Sequence, residues 1–122
     1  MIGRWFVVLM TAAGVLAACG GDGGDATCSP SGTQLQVTAR DVAFEEECLA
    51  APAGRPFTIE LDNQDQGLQH NVSILDGDEV LFEGEIFAGV ERRTYEVEAL
   101  EAGSYEFRCD VHPDMNGAFI VA

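Results

Sequence analysis

Lysine is absent from this chain. Its basic residues are six arginines, set against 21 acidic residues, and the formal net charge is -15. A surface of that sign repels phosphate backbones, which excludes nucleic acid as a partner. The same acidity favours solubility and leaves open steering toward a basic protein partner. Long apolar runs are missing too. The non-ionic stretch at residues 5–18 has 14 residues, short of the about 20 that a membrane-spanning helix needs. Histidine occurs twice, as His70 and His112, and two of the three methionines, Met1 and Met10, lie in the first ten residues. Chemistry that needs many imidazoles has too few of them here.

The N-terminus has the layout of an export signal: one basic residue, Arg4, then the non-ionic stretch, and no acidic residue before Asp22. It ends in Leu16-Ala17-Ala18-Cys19, which resembles the bacterial lipobox, where small residues precede a cysteine that is diacylated and becomes the new N-terminus. On that resemblance residues 1–18 are a lipoprotein signal peptide, and Cys19 carries the lipid that anchors the chain to the cell membrane in an extracytoplasmic location. A plain secretory signal with Cys19 incidental is the alternative. Residues 19–33, rich in glycine and small polar side chains, cannot bury apolar surface and read as a flexible tether. Residues 34–122 are the size of one domain with one core. Export also puts Cys28 and Cys48 outside the reducing cytosol, 20 residues apart, where a disulfide between them is expected, with two free thiols as the alternative. A bridge of that span is worth about 3 kcal/mol through loss of chain entropy in the unfolded state.

Beyond the tether the apolar residues alternate. Leu35 and Val37 share a face, as do Phe57, Ile59 and Leu61, then Val72 and Ile74, Tyr95 and Val97, and Tyr105, Phe107 and Cys109. Period two marks half-buried strands. Turn signals separate them at Pro52 to Gly54, Asp62-Asn63, Asp76 to Asp78, Ala102-Gly103 and Pro113 to Gly117. Residues 80–90 do not keep strict alternation. No segment is long enough to form a helical crossover, so the expected fold is an all-β, Greek-key β-sandwich in a single domain.

The chemistry concentrates in one run, Cys109-Asp110-Val111-His112-Pro113-Asp114-Met115, which sets a thiol, an imidazole and a thioether three residues apart at a strand end and in the loop after it. His70, ahead of the strand at Val72 and Ile74, supplies a second imidazole. Every histidine and methionine beyond the export segment is then used by one candidate site: His70, Cys109, His112 and Met115. Thiolate and thioether favour Cu(I) and imidazole suits both copper oxidation states; a His2Cys plane with a weak axial methionine is the ligand set of blue-copper electron-transfer centres. Zinc fits worse, since methionine suits it poorly and no second cysteine is at hand to close a structural site.

Two motifs, Gln69-His70-Asn71-Val72 and Gly103-Ser104-Tyr105-Glu106-Phe107-Arg108-Cys109-Asp110-Val111-His112-Pro113-Asp114-Met115-Asn116-Gly117, resemble those of the cupredoxins. The ligand loop, with two residues between His112 and Met115, looks like amicyanin's and is shorter than plastocyanin's. The resemblance implies copper held at one end of the sandwich and a His112 ring edge facing solvent. It also implies that Asn71 ties two loops together beside the metal. Asp110 departs from the small hydroxyl residue that often follows the cysteine in that family. By the same resemblance the chain is a monomeric carrier of single electrons, not an enzyme, serving redox protein partners of cytochrome or oxidase type. Extracytoplasmic copper buffering or delivery is the alternative, although such proteins tend to use methionine clusters that are missing here.

Overall fold

Where the sequence alternates, the chain is extended. The computed structural model describes residues 26–122; the export segment and Cys19 lie outside the described residues. The strands are β1 (Gln34–Arg40), β2 (Ala43–Phe44), β3 (Cys48–Ala51), β4 (Phe57–Asn63), β5 (Gln69–His70), β6 (Ser73–Asp76), β7 (Glu79–Glu83), β8 (Phe87–Ala88), β9 (Glu91–Val97), β10 (Gly103–Arg108) and β11 (Asn116–Val121). One sheet has the order β2-β1-β4-β9 and the other β3-β11-β10-β6-β7, with β5 and β8 forming a small separate pair. This is the expected all-β sandwich. Two neighbouring pairs, β1 with β4 and β3 with β11, run parallel. Neither requires a crossover helix, because the chain visits the opposite sheet between the two partners.

Strand faces follow the side chains. Val37 and Ala39 of β1, Ile59 and Leu61 of β4, Phe107 of β10 and Phe119 of β11 are almost entirely enclosed, and each larger one contributes about 1.5–3 kcal/mol by leaving water. Phe57 of β4 meets Phe119 of β11 across the sandwich, ring centroids 5.6 Å apart, and Phe82 of β7 meets Tyr95 of β9 edge-on at 5.8 Å. Such tilted pairs add to the area term and hold the sheets in register. Val72 and Cys109, read as strand residues, sit one position outside β6 and β10 and are buried all the same. Residues 80–90 resolve into β7 and β8, separated at Gly84, where a Cβ would lie 2.5 Å from the Val72 carbonyl and 2.9 Å from the Tyr95 ring.

Cys28 and Cys48 are joined by a disulfide, and the Thr33 carbonyl accepts a hydrogen bond from the Thr58 amide at 2.8 Å. The last residues of the stretch read as tether are thereby fastened to β3 and β4. Among the described residues no helix is long and apolar enough to cross a membrane.

Candidate metal centre

Asn63, the last residue of β4, shapes the approach to the first histidine. Its fully buried amide nitrogen donates to the carbonyls of Leu68 (2.9 Å) and Phe87 (3.1 Å), while its Oδ1 accepts from the Asp65 amide at 3.0 Å. The loop at residues 64–68 is thus folded back so that β5 pairs with β8, His70 opposite Phe87. His70 has no solvent exposure. Its Nδ1 lies 3.7 Å from Cys109 Sγ, and its Nε2 is 2.7 Å from Asp65 Oδ2.

Cys109 follows β10 directly, and Met115 immediately precedes β11. The antiparallel pairing of Arg108 with Asn116 brings the two ends of the ligand loop together. Inside the loop the Cys109 amide donates to the Met115 carbonyl at 2.9 Å and the Met115 amide donates to the His112 carbonyl at 2.8 Å. The loop is closed by its own backbone. His112 Nδ1 is therefore held 3.8 Å from Cys109 Sγ, and the two histidine rings stand 4.9 Å apart, centre to centre. Cys109 is the free thiol among the described residues and is completely buried; Met115 is buried with it in the core, while His112 is half-buried.

Asn71 joins the two ligand segments. Its Nδ2 donates to Asp110 Oδ2 (2.8 Å) and to the Gly84 carbonyl (2.9 Å), and its Oδ1 accepts from the Asp110 amide (2.8 Å). Ser73 Oγ also donates to Asp110 Oδ2, at 2.6 Å. The carboxylate of Asp110 thus fills the place of the family's small hydroxyl residue and keeps the loops bound. Burial opposes its charge, but the bonds from Ser73, Asn71 and Arg108 prevail and hold the Asp110 carboxyl below the ordinary carboxylate range.

His70, Cys109 and His112 offer three donor atoms within 4.8 Å of one another. Nitrogen–sulfur separations of 3.7 and 3.8 Å are long for hydrogen bonds between neutral groups, yet short enough for one ion to reach both atoms at ordinary metal–imidazole and metal–thiolate lengths of about 2.0 and 2.3 Å. The occupied Nε2 of His70 leaves its Nδ1 free for that ion. Two imidazoles, one thiol and a neighbouring thioether form a donor set that fits a single copper.

Residues 4–121 match the cupredoxin-like domain family. The chain belongs to that family. No curated protein matches it. Among solved structures, this cupredoxin resembles dithionite-reduced auracyanin from Roseiflexus castenholzii at 18% identity and a TM-score of 0.65, covering 74% of this chain and 97% of that one. It is similar to auracyanin A, a "blue" copper protein of Chloroflexus aurantiacus, at 20% identity and the same TM-score, covering 75% and 99%. Amicyanin from Paracoccus versutus matches at 24% identity and a TM-score of 0.56, covering 76% and 84%. At these identities the likeness is one of fold.

Of the four expected ligands, His70, Cys109 and His112 bring their donor atoms together, Met115 is buried in the same closed loop, and Asn71 is bonded to the residue after Cys109. Sequence reasoning missed Asn63 and Asp65. Asn63 had been read as part of a turn, and Asp65 is one acidic residue among many, with no spacing to mark it.

Proposed function

We propose that this protein carries single electrons between extracytoplasmic redox partners, using one copper ion that His70, Cys109, His112 and Met115 would hold. The observation that carries the reading is the convergence of a buried free thiol and two imidazole nitrogens at 3.7 and 3.8 Å in a loop closed by its own backbone. Bound copper would supply the one-electron couple; all else falls to the protein. Asn71, Asp110 and the Cys109–Met115 backbone bond resist displacement of the ligands when charge changes, which keeps the reorganisation small.

His112 is the half-buried ligand, next to Val111, which is 40% exposed, and the exposed Pro113. A redox protein of cytochrome or oxidase type would dock on this small apolar rim, in the brief contact that turnover favours. The chain would work as a monomer tethered to the membrane through lipid on Cys19. Copper delivery is disfavoured because its ligands would have to open readily, and here three of the four are buried or fixed by internal bonds.

The test is retention. Through repeated cycles of oxidation and reduction in the presence of a Cu(I) chelator, the protein should keep its copper. Rapid loss of Cu(I) to the chelator from a protein that stays folded would replace electron transfer with copper handling.

A further inference from the structure

The carboxylate of Asp65 is 8% exposed and is fixed from several directions. Its Oδ1 accepts from the Asp41 amide at 2.7 Å, and its Oδ2 accepts from the Val42 amide at 2.9 Å. Asp41 and Val42 form the turn between β1 and β2, and both have left-handed backbone angles, φ 53° and 56°. That region is unfavourable for a β-branched residue such as Val42, and successive amides turned inward in this way make a concave anion site. Asp65 fills it. The Asp65 amide is itself bound by Asn63 Oδ1, and Gly89 packs against this corner so closely that a Cβ there would lie 2.7 Å from Asn63 Oδ1 and would strike the Asp65 carbonyl.

Both oxygens already accept backbone protons, so the contact with His70 Nε2 at 2.7 Å has the ring donating. A histidine whose Nε2 carries the proton presents a bare Nδ1, and His70 Nδ1 is the atom that faces Cys109. We propose that Asp65 is a positioning residue that locks His70 in its metal-binding tautomer and orientation and sets the reduction potential of the copper low. The inference rests on the copper reading of the site. The physical basis is that a carboxylate behind a ligand histidine raises the basicity of the ring and restrains its rotation. A fixed negative charge in a poorly solvated place also favours Cu(II) over Cu(I), since the more positive ion gains more from it.

The experiment uses the full chain loaded with copper, beside Asp65→Asn, which keeps the shape and an acceptor oxygen, and Asp78→Asn, which removes the same charge from the exposed turn between β6 and β7. Asp65→Asn should shift the Cu(II)/Cu(I) equilibrium toward Cu(I) by at least ten-fold, about 59 mV for one electron, with its thiolate absorption band retained. Asp78→Asn should leave the potential in place. In the diamagnetic Cu(I) protein the Nε2 proton of His70 should give a persistent nuclear magnetic resonance signal that exchanges with water at least ten-fold faster in Asp65→Asn. Equal potentials for Asp65→Asn and Asp78→Asn, in proteins that retain the band, would show Asp65 to be a clamp for the β1–β2 turn and nothing more. Should Asp65→Asn fail to fold, rapid exchange of the wild-type Nε2 proton would overturn the proposal by itself. A wild-type protein without any thiolate band would remove the copper reading, a result distinguishable from the other two.

Discussion

Asn71 fixes the distance between the two halves of the ligand set. Its amide satisfies the Gly84 carbonyl, the Asp110 carboxylate and the Asp110 amide at once, and Asn71→Ala would strand the Gly84 carbonyl and the Asp110 amide, leaving the Asp110 carboxylate to Ser73 and Arg108. Leaving buried polar groups unpaired costs about 1–3 kcal/mol each, and neighbouring groups share the loss. Urea unfolding of the copper-free protein should show Asn71→Ala destabilised by about 3 kcal/mol; a change within error would mean that Asp110 finds water in its place. The candidate ligands stood out in the sequence because they are rare: two histidines, one methionine beyond the export segment and, once Cys28 and Cys48 pair, one free cysteine among the described residues admit few combinations. Asp65 was not. Acidic residues are abundant in this chain, and the burial of Asp65 depends on a turn 24 residues earlier whose left-handed backbone no local pattern announces.

At the scale of elements, alternation exposed β1, β4, β9 and β10 because each has one face on the core. It located β6 through Val72 and Ile74 but not its full burial, since Ser73, Ile74 and Leu75 are all enclosed, and it failed for β3 and β11, whose small residues Ala50, Ala51, Gly117 and Ala118 carry little periodic signal. The pair β5 and β8 has two residues in each strand and exists through tertiary contact alone. Gly117 shows how small residues matter in β11: a Cβ there would lie 2.5 Å from the Phe107 ring and 2.8 Å from the Glu47 carbonyl. Gly117→Ala should therefore destabilise the fold by about 1–3 kcal/mol, as overpacking does, and thermal unfolding will check it. Tyr95 gives β9 a pH signature. Burial, the largest cause, raises its phenol far above the ordinary value of 10.0, with Arg93 opposing and the Glu85 charge adding to it, while the hydroxyl donates to the Glu85 carbonyl at 2.6 Å. A raised folded value means that stability is complete below the unfolded pKa and falls as pH rises above it. The urea midpoint should drop above about pH 10, and less in Tyr95→Phe; equal slopes would show that Tyr95 is not the group responsible.

Across the whole molecule, two features act on the chain as a unit. The Cys28–Cys48 bridge closes a 20-residue separation, and replacing both cysteines with serine should lower the unfolding free energy by about 3 kcal/mol, measured in denaturant; an unchanged midpoint would mean that the unfolded chain is already restricted there. The formal charge of -15 should make electron exchange with cationic small redox complexes faster than with anionic ones of similar potential, and added salt should shrink the difference by screening. The fold class could be read from the sequence because it rests on periodicity, and the candidate ligand set was marked by its rare residues. Of the surrounding clamps Asn71 was legible through the family resemblance, whereas Asn63 and Asp65 were not, since they join residues whose pairing no local pattern marks. The central claim is a copper–thiolate bond at Cys109, and the most direct measurement is the visible and electron paramagnetic resonance spectrum of the protein with one equivalent of Cu(II), beside Cys109→Ala. An intense charge-transfer band with narrow copper hyperfine splitting, both lost in Cys109→Ala, is the predicted result; a colourless protein with an ordinary copper spectrum would contradict it.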